Sequence, residues 1–186
     1  MKNRMRKLVF IVCLSLSLGP LGAEITRKEE TRVTTPAEDS KPNSDRVPEV
    51  YALEGQFDRI VVLRFKYKTD LLPALERMMK EQKIRHAVIL SGAGSVRSYH
   101  YHAVSNTTLP SKNIFVKNTE APADIASMNG YVINGAVHAH ITFADADKAF
   151  GGHLEPGTQV FTFAIVTIGV FKDGIDLSRV DDKNYR

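Results

Sequence analysis

Cysteine is almost absent from this chain of 186 residues, and tryptophan is absent altogether. The single cysteine, Cys13, lies in an apolar segment near the start, so the rest of the chain has no disulfide, cysteine nucleophile or thiolate metal ligand. A cysteine-free remainder suits an oxidising compartment, where the fold depends on its core or on oligomerisation. The patterns G-x-S-x-G and H-E-x-x-H are also missing, which argues against the serine hydrolases and zinc proteases that carry them.

The first 23 residues have the three parts of a secretory signal peptide. A basic segment ends at Lys7, an apolar segment extends from Leu8 to Leu18, and small residues follow up to Ala23. The apolar segment is too short for an ordinary transmembrane helix. We therefore expect cleavage after Ala23 and an exported protein, periplasmic or extracellular, that keeps no transmembrane segment.

No excess of charge remains once this segment is removed. The segment holds four of the 25 lysines and arginines and no acidic residue, so 21 basic residues face 21 acidic ones in the remainder. The basic isoelectric point of the whole chain thus comes from the export signal. Since nucleic-acid binding usually depends on a surplus of positive charge, a nucleic-acid partner is disfavoured.

The chain is long enough for one well-buried domain and too short for two ordinary ones. Residues 1–23 are the predicted signal peptide, and residues 24–50, which are polar and contain no aromatic side chain, are predicted to form a disordered linker. Residues 51–172 carry the apolar periodicity of a folded domain. Residues 173–186 form a polar C-terminal tail.

Periodicity within the domain predicts one helix among many strands. The helix begins at Thr69 or Asp70, and apolar side chains between Leu71 and Met79 recur at helical spacing. A strand on either side of this helix indicates an α/β or α+β fold. The apolar or alternating segments predicted as strands are 57–67, 84–91, 96–104, 114–116, 125–128, 131–133, 137–143 and 158–171. The last of them is apolar on both faces and is predicted to lie in the interior.

Five glycines are predicted to shape the backbone. Gly92 and Gly94 belong to S-G-A-G-S, which we interpret as a tight turn, because neither phosphate-binding glycine pattern is complete here. Gly151 and Gly152 permit a bulge or a close approach of two strands. Gly157 belongs to a turn that leads into the last strand.

Three histidines are the best candidates for a functional site. His138 and His140 are two residues apart in an alternating strand, so their imidazoles project from one face and can reach one cation. Together with His153 they would supply three nitrogen ligands and leave an open position, a set that suits zinc best among the divalent metals. Two alternatives stay open: a hydrogen-bonded histidine pair on a sheet face, and a subunit interface.

Other ionisable residues are weaker candidates. Glu155, near the predicted metal, is the best acid–base candidate, whereas Asp145 and Asp147 are typical of solvated turns. His100 and His102 repeat the alternation beside tyrosines, and we interpret them as cross-strand packing residues rather than ligands.

Several motifs together resemble the PPC domain, the family conserved in plants and prokaryotes. They are S-G-A-G-S at 91–95, H-A-H at 138–140, G-G-H-L at 151–154 and Gly157 before a long apolar strand. The resemblance extends over residues 57–171. It implies one compact α/β domain with a largely antiparallel sheet flanked by a helix, commonly a homotrimer, and a metal site formed by the histidines of H-x-H and G-G-H.

Two further comparisons limit the function. Plant members of the family carry an AT-hook that enters the minor groove of DNA, and the Arg-Gly-Arg-Pro core of that hook is missing here, so DNA binding is disfavoured. A cupin-like barrel needs a glutamate shortly after H-x-H, and residues 141–144 contain none. Three hypotheses follow: an exported trimer that binds a divalent metal or small ligand, a metal-dependent enzyme in which Glu155 moves protons, and an interaction or DNA-binding module.

Overall fold

The computed structural model describes residues 29–35, 38 and 48–180, except for the side chain of Arg179. The predicted signal peptide lies outside these residues, so the signal peptide and the exported location stay predictions. Residues 24–28, 36–37 and 39–47 of the predicted linker and residues 181–186 of the predicted tail also lie outside the described residues. Within the described part of the chain, no helix is long and apolar enough to cross a membrane.

The described residues form eight strands, one α-helix and one short 3-10 helix. Their bounds are β1 Glu30–Val33, β2 Phe57–Lys66, α1 Leu71–Glu81, β3 Ala87–Val104, β4 Asn113–Asn118, β5 Ala123–Ile133, β6 Ala136–Ala144, β7 Ala149–Leu154, β8 Gln159–Phe171 and the 3-10 helix Leu177–Val180. Neighbouring strands pair antiparallel. The prediction of a largely antiparallel sheet with one helix is therefore confirmed.

Strand β3 organises the sheet because its two halves have different neighbours. Its first half pairs with β5 and β8, and its second half pairs with β4. At Tyr101 and His102 it also pairs with β7. Since β5, β6 and β7 are successive neighbours, this last pairing closes a ring made of β3, β5, β6 and β7. The ring brings β6, β7 and β3 side by side.

Aromatic side chains fill the inside of this ring. Tyr99 and Phe143 are almost fully buried, and their ring centres are 5.7 Å apart. Phe150 lies 4.9 Å from Tyr99, and Tyr101 lies 6.2 Å from Phe143. Each large side chain buried in this way contributes about 1.5–3 kcal/mol relative to exposure. Because the aromatic residues of β3, β6 and β7 point inward, the alternate residues of these strands point outward.

Helix α1 begins where the sequence predicts. Asp70 is its N-cap residue, and Leu71, Leu75 and Met79 recur every four residues on its buried face. The Asp70 carboxylate does not cap the helix itself. Its Oδ2 instead accepts a hydrogen bond of 2.7 Å from the backbone N–H of Gly157. This bond ties the start of the helix to the turn that precedes β8.

The predicted tight turn at Gly92 and Gly94 is wrong, because β3 continues through both glycines. Gly94 has a φ of +145°, and a Cβ there would overlap the carbonyl oxygen of Phe163 on β8. The pairing of β3 with β8 also shifts its register after Gly94. Gly94 therefore allows two strands to approach closely at a bulge and does not reverse the chain.

Part of the predicted disordered linker forms a strand, so the prediction of disorder is wrong for these residues. β1 pairs with β4, and Thr34 beyond it exchanges hydrogen bonds of 2.8 and 2.7 Å with the backbone of Asn113. Before β1, the Glu29 carboxylate accepts a 3.0 Å hydrogen bond from the Tyr99 hydroxyl. Since backbone pairing holds this polar edge strand, its sequence shows little apolar alternation.

Strand β8 is buried on one face only, although both faces are apolar. Val166 and Ile168 lie in the core. Phe161, Phe163 and Ile165, which point the other way, are 38–46% exposed. The prediction of an interior strand is confirmed for its position between β2 and β3, but not for its outer face.

Candidate metal site

Four histidines from three adjacent strands form one cluster on the outside of the ring. Strand pairing places His140 of β6 opposite His153 of β7, and His153 opposite His102 of β3. His138 precedes His140 by two residues and so projects from the same face of β6. The closure of the ring thus assembles imidazoles that are far apart in the sequence.

Gly152 allows β7 to lie this close to β3. A Cβ at this position would overlap the backbone carbonyl oxygen of His102. Gly152 stands next to His153 in the G-G-H motif, so the same close approach brings His153 against His102. As predicted, the glycine pair serves a close backbone approach.

The three histidines predicted as ligands lie at distances that suit a single ion. The ring centres of His138 and His140 are 5.5 Å apart, and His153 lies 4.9 Å from the first and 5.6 Å from the second. With zinc–nitrogen bonds of about 2.0–2.1 Å in tetrahedral geometry, the ring centres of two ligating imidazoles are roughly 5 Å apart. The spacing of the three rings is therefore close to that of imidazoles around one ion.

Among the described residues, however, the donor atoms that lie within 4.8 Å of one another belong to a different group, which includes two other residues. The group consists of one ligand atom each from His102, His153 and Glu155. The Glu155 Oε1 atom is 2.6 Å from the Nδ1 atom of His102 and 3.5 Å from that of His153. Their side chains are only about one-fifth exposed. His153 belongs to this group and to the predicted set of three.

The electrostatics of the cluster favour cation binding. Burial alone would raise the pKa of Glu155, but the hydrogen bond with His102, the nearby Nδ1 atom of His153 and the charge of both imidazoles bring it down to about 2. Burial lowers the pKa of His140, and the charges of His138, His153 and His102 lower it further. At neutral pH Glu155 is thus ionised and His140 is neutral, the states in which each group can hold or support a cation.

His102 escapes prediction from the sequence, although it lies in the cluster. Its ring stacks on His153 with centres 4.6 Å apart and faces Phe115 of β4 at 4.9 Å on another side. The Arg32 guanidinium of β1 covers Phe115 at 4.6 Å. His100 differs, because its Nδ1 atom lies 2.8 Å from the carbonyl oxygen of Pro156. The sequence carries one signal for His102, its alternation with His100, and that alternation is equally typical of cross-strand packing residues.

The remaining candidates lie in turns. The Asp145 carboxylate accepts hydrogen bonds of 2.9 and 3.0 Å from the backbone N–H groups of Asp147 and Lys148, so it stabilises the hairpin between β6 and β7, as predicted. Gly157 lies in the turn before β8 and has a φ of +107°, a backbone conformation that favours glycine.

The fold resembles that of several solved structures. A metal-containing protein of Archaeoglobus fulgidus superposes with a TM-score of 0.55 and 24% identity over 65% of this chain and 86% of that chain. A plant- and prokaryote-conserved (PPC) protein of Pyrococcus horikoshii gives 0.56 and 21% identity over 68% and 89% of the two chains. At these identities the likeness establishes the fold.

Sequence comparison identifies the family of this chain. Two bifunctional GlmU proteins from Synechococcus strains are 29% and 28% identical over 111 and 113 residues. The match spans 59% of this chain but only 16–17% of theirs. The family model of the Plants and Prokaryotes Conserved (PCC) domain matches residues 52–172, which is most of the described chain. The protein therefore belongs to the Plants and Prokaryotes Conserved domain family.

Proposed function

We propose that this protein is an exported homotrimer that binds a divalent metal ion, with zinc as the first candidate, through His138, His140 and His153. The observation that carries the proposal is the convergence of these three imidazoles at 4.9–5.6 Å between ring centres. The similar protein of Archaeoglobus fulgidus is metal-containing, which supports the same role here.

The donor set favours zinc over magnesium and calcium. Imidazole nitrogens suit zinc, copper, nickel and iron, whereas magnesium and calcium prefer carboxylate and carbonyl oxygens. Three protein nitrogens leave a fourth position, which water or a small ligand would occupy. When bound, the ion would supply a positive charge that polarises such a ligand.

A catalytic role for the site has less support. Glu155 is the nearest acid–base candidate, but its carboxylate faces two imidazoles and its pKa is about 2. A general base works best when its pKa is near the operating pH, so this carboxylate is a weak base at neutral pH. The equal numbers of charges in residues 24–186 likewise give no support to nucleic-acid binding.

Metal analysis of residues 24–186, purified without a His-tag, tests the proposed function. We expect about one zinc or similar ion per chain, and we expect the double variant His138→Ala/His140→Ala to lose most of it, because only one nitrogen of the proposed set remains. Circular dichroism would check that the variant is folded. A wild-type protein that binds no metal after zinc is supplied would contradict the proposal.

Self-association is supported by an apolar face on the outside of β2 and β8, which we call the outer face. Its apolar residues are Ile60, Val62, Phe161, Phe163 and Ile165, which are 38–64% exposed in the single chain. Arg64 and Lys66 of β2 share this side, opposite Ile165 and Phe163. The pairing of β2 with β8 places these residues on one side of the sheet. Apolar patches of this kind usually mark an interaction surface.

The variant Val62→Glu is expected to convert a trimer into a monomer. Val62 is 64% exposed, so a carboxylate there costs little in the single chain but would be buried without a partner in an interface. Val104→Glu is the matched control, because Val104 is 67% exposed and lies outside the outer face. Light scattering gives the masses. A monomeric wild type, or a Val62→Glu protein that stays trimeric, would contradict this assignment.

A further inference from the structure

A basin at one end of the sheet is not used by the proposed function. Its walls come from the start of β2, the segment between α1 and β3, the turn between β5 and β6, and the segment after β8. Its volume of about 1270 Å³ is ample for a small organic molecule, since such sites measure about 300–1,000 Å³. The side chains that line it do not include Glu155 or the histidines of the cluster.

We infer that this basin binds a small molecule that carries phosphate or carboxylate groups, and that Lys83, Arg85 and Lys172 hold those groups. All three side chains line the basin. Within the described part of the chain, none of the three forms an ion pair, whereas Arg59 on the same wall is paired with Asp58 at 2.8 Å. The inference does not depend on the metal site proposed above.

Arg85 is held in place and still has free donors. Its backbone carbonyl oxygen accepts a 2.9 Å hydrogen bond from the N–H of Gly135, and its Nη2 atom donates a 3.3 Å hydrogen bond to the Oδ1 atom of Asn134. A guanidinium has five N–H donors, and this is the one that a described side chain accepts. The remaining donors can form the paired hydrogen bonds by which arginine recognises carboxylate and phosphate.

His86 and Lys172 extend the paired ends of β3 and β8 into the basin. The N–H of Phe171 donates a 3.1 Å hydrogen bond to the carbonyl oxygen of His86. The Nζ atom of Lys172 donates to a neutral amide oxygen, the Oε1 atom of Gln56, at 3.2 Å. The Nδ1 atom of His86 is buried without a hydrogen-bond partner. A buried polar atom of this kind needs a partner, which a polar ligand or a water molecule in the basin can supply.

Lys83 occupies a position where glycine is preferred. The N–H groups of Ile84 and Lys83 donate hydrogen bonds of 2.8 and 3.2 Å to the carbonyl oxygens of Met79 and Lys80, the pair of bonds that ends a helix in a Schellman motif. Lys83 has a φ of +55°, a left-handed conformation that is unfavourable for every residue with a Cβ. Lysine here therefore gives up stability and places an ammonium group on the basin, as strained residues at binding sites do.

Net charge alone favours an anion only weakly. Four basic and three acidic side chains line the basin, so the excess is a single positive charge. Asp58 is neutralised by Arg59, and the Asp176 carboxylate accepts hydrogen bonds of 2.9 and 2.6 Å from the N–H and hydroxyl groups of Ser178. Recognition therefore depends on the directed donors of the three cations, and the affinity should fall as salt screens their charges.

Calorimetric titration of residues 24–186 with pyrophosphate and, separately, with citrate at low ionic strength tests the inference. The protein is first freed of metal, so that neither probe can bind through zinc. We expect saturable binding of at least one probe, and an affinity about 10-fold or more lower in Arg85→Gln and in Lys172→Gln, because each loses a charged hydrogen bond. Binding of pyrophosphate alone assigns phosphate groups to the ligand, and binding of citrate alone assigns carboxylates. Lys148→Gln is the matched control, an exposed lysine between β6 and β7.

Lys83→Gly gives a readout that a purely structural residue would not give. We expect its Tm to be about 2–4 °C higher than that of the wild type, because glycine relieves the left-handed backbone, while its affinity for the anion falls about 10-fold. A higher Tm with unchanged affinity would overturn the role of Lys83.

The remaining outcomes decide the basin itself and separate it from the proposed function. No saturable binding of either probe, or wild-type affinity in Arg85→Gln and Lys172→Gln, would overturn the inference. His153→Ala should bind the probes as the wild type does, whether or not the wild type binds zinc. A loss of anion binding in His153→Ala would place the anion at the histidine cluster and would overturn the inference as well.

Discussion

Replacing His153 by alanine is expected to abolish metal binding, from about one ion per chain to none. His153 is the residue shared by the two donor groups: its ring lies within 5.6 Å of His138 and His140, and its Nδ1 atom faces Glu155. Loss of His138 leaves the group of His102, His153 and Glu155 intact, whereas loss of His153 leaves only two donors in each group. His153 is the imidazole that contacts both the histidines of β6 and His102 of β3, so its loss removes the link between them.

Elemental analysis and a zinc titration against a chromophoric chelator would measure this loss. Thermal unfolding offers an independent check, because a ligand at 100 times its Kd stabilises the folded state by about 2.7 kcal/mol. The wild type should therefore show a zinc-dependent rise in Tm that His153→Ala lacks. His86→Ala is the matched control, since His86 lies outside the cluster, before β3. Full zinc binding by His153→Ala would rule out both donor groups.

The second large effect is expected from Gly152→Ala. The added Cβ would overlap the carbonyl oxygen of His102, and a backbone atom cannot move aside as the end of a side chain can. Overpacking of this kind costs typically 1–3 kcal/mol, and a direct clash with the backbone belongs at the upper end of that range. Relief requires β7 to move away from β3, which separates His153 from His102.

Two readouts should therefore change together in Gly152→Ala: the free energy of unfolding measured with denaturant, and the affinity for zinc. Gly55→Ala provides the comparison, because its Cβ would meet the side-chain ends of Ile175 and Phe171 rather than backbone. We expect a much smaller loss of stability there and no change in zinc affinity. If Gly152→Ala matched the wild type in both readouts, the close approach of the two strands would not be needed for the site.

Much of the fold can be predicted from local patterns. The helix is predicted almost to the residue because Leu71, Leu75 and Met79 repeat at a spacing that only a helix turns to one side. The alternation around His138 and His140 likewise predicts β6 and the outward direction of both imidazoles. In these segments the neighbours in sequence decide the structure.

The predictions are wrong where the local structure depends on strands that are distant in the sequence. The bulge at Gly94 depends on β8, so the sequence alone cannot distinguish it from a turn. His102 joins the cluster only because β7 pairs with β3 and closes the ring. Such pairings depend on the register of whole strands, which a pattern of a few residues does not contain. β1 escapes prediction for the same reason, because the hydrogen bonds that hold it come from β4.

The seam between β3 and β7 is short, because only Tyr101 and His102 pair across it. An ion held by His102 of β3 and His153 of β7, whose donor atoms lie within 4.8 Å of each other, would fasten this seam as a disulfide fastens two distant segments of a secreted domain. Disulfides that close long loops contribute about 2–4 kcal/mol, largely by limiting the unfolded chain. With its single cysteine at position 13, this chain would use imidazole and metal in place of sulfur. Removal of the ion should then open the β3–β7 seam first, and amide hydrogens on β7 should exchange sooner than those on β8.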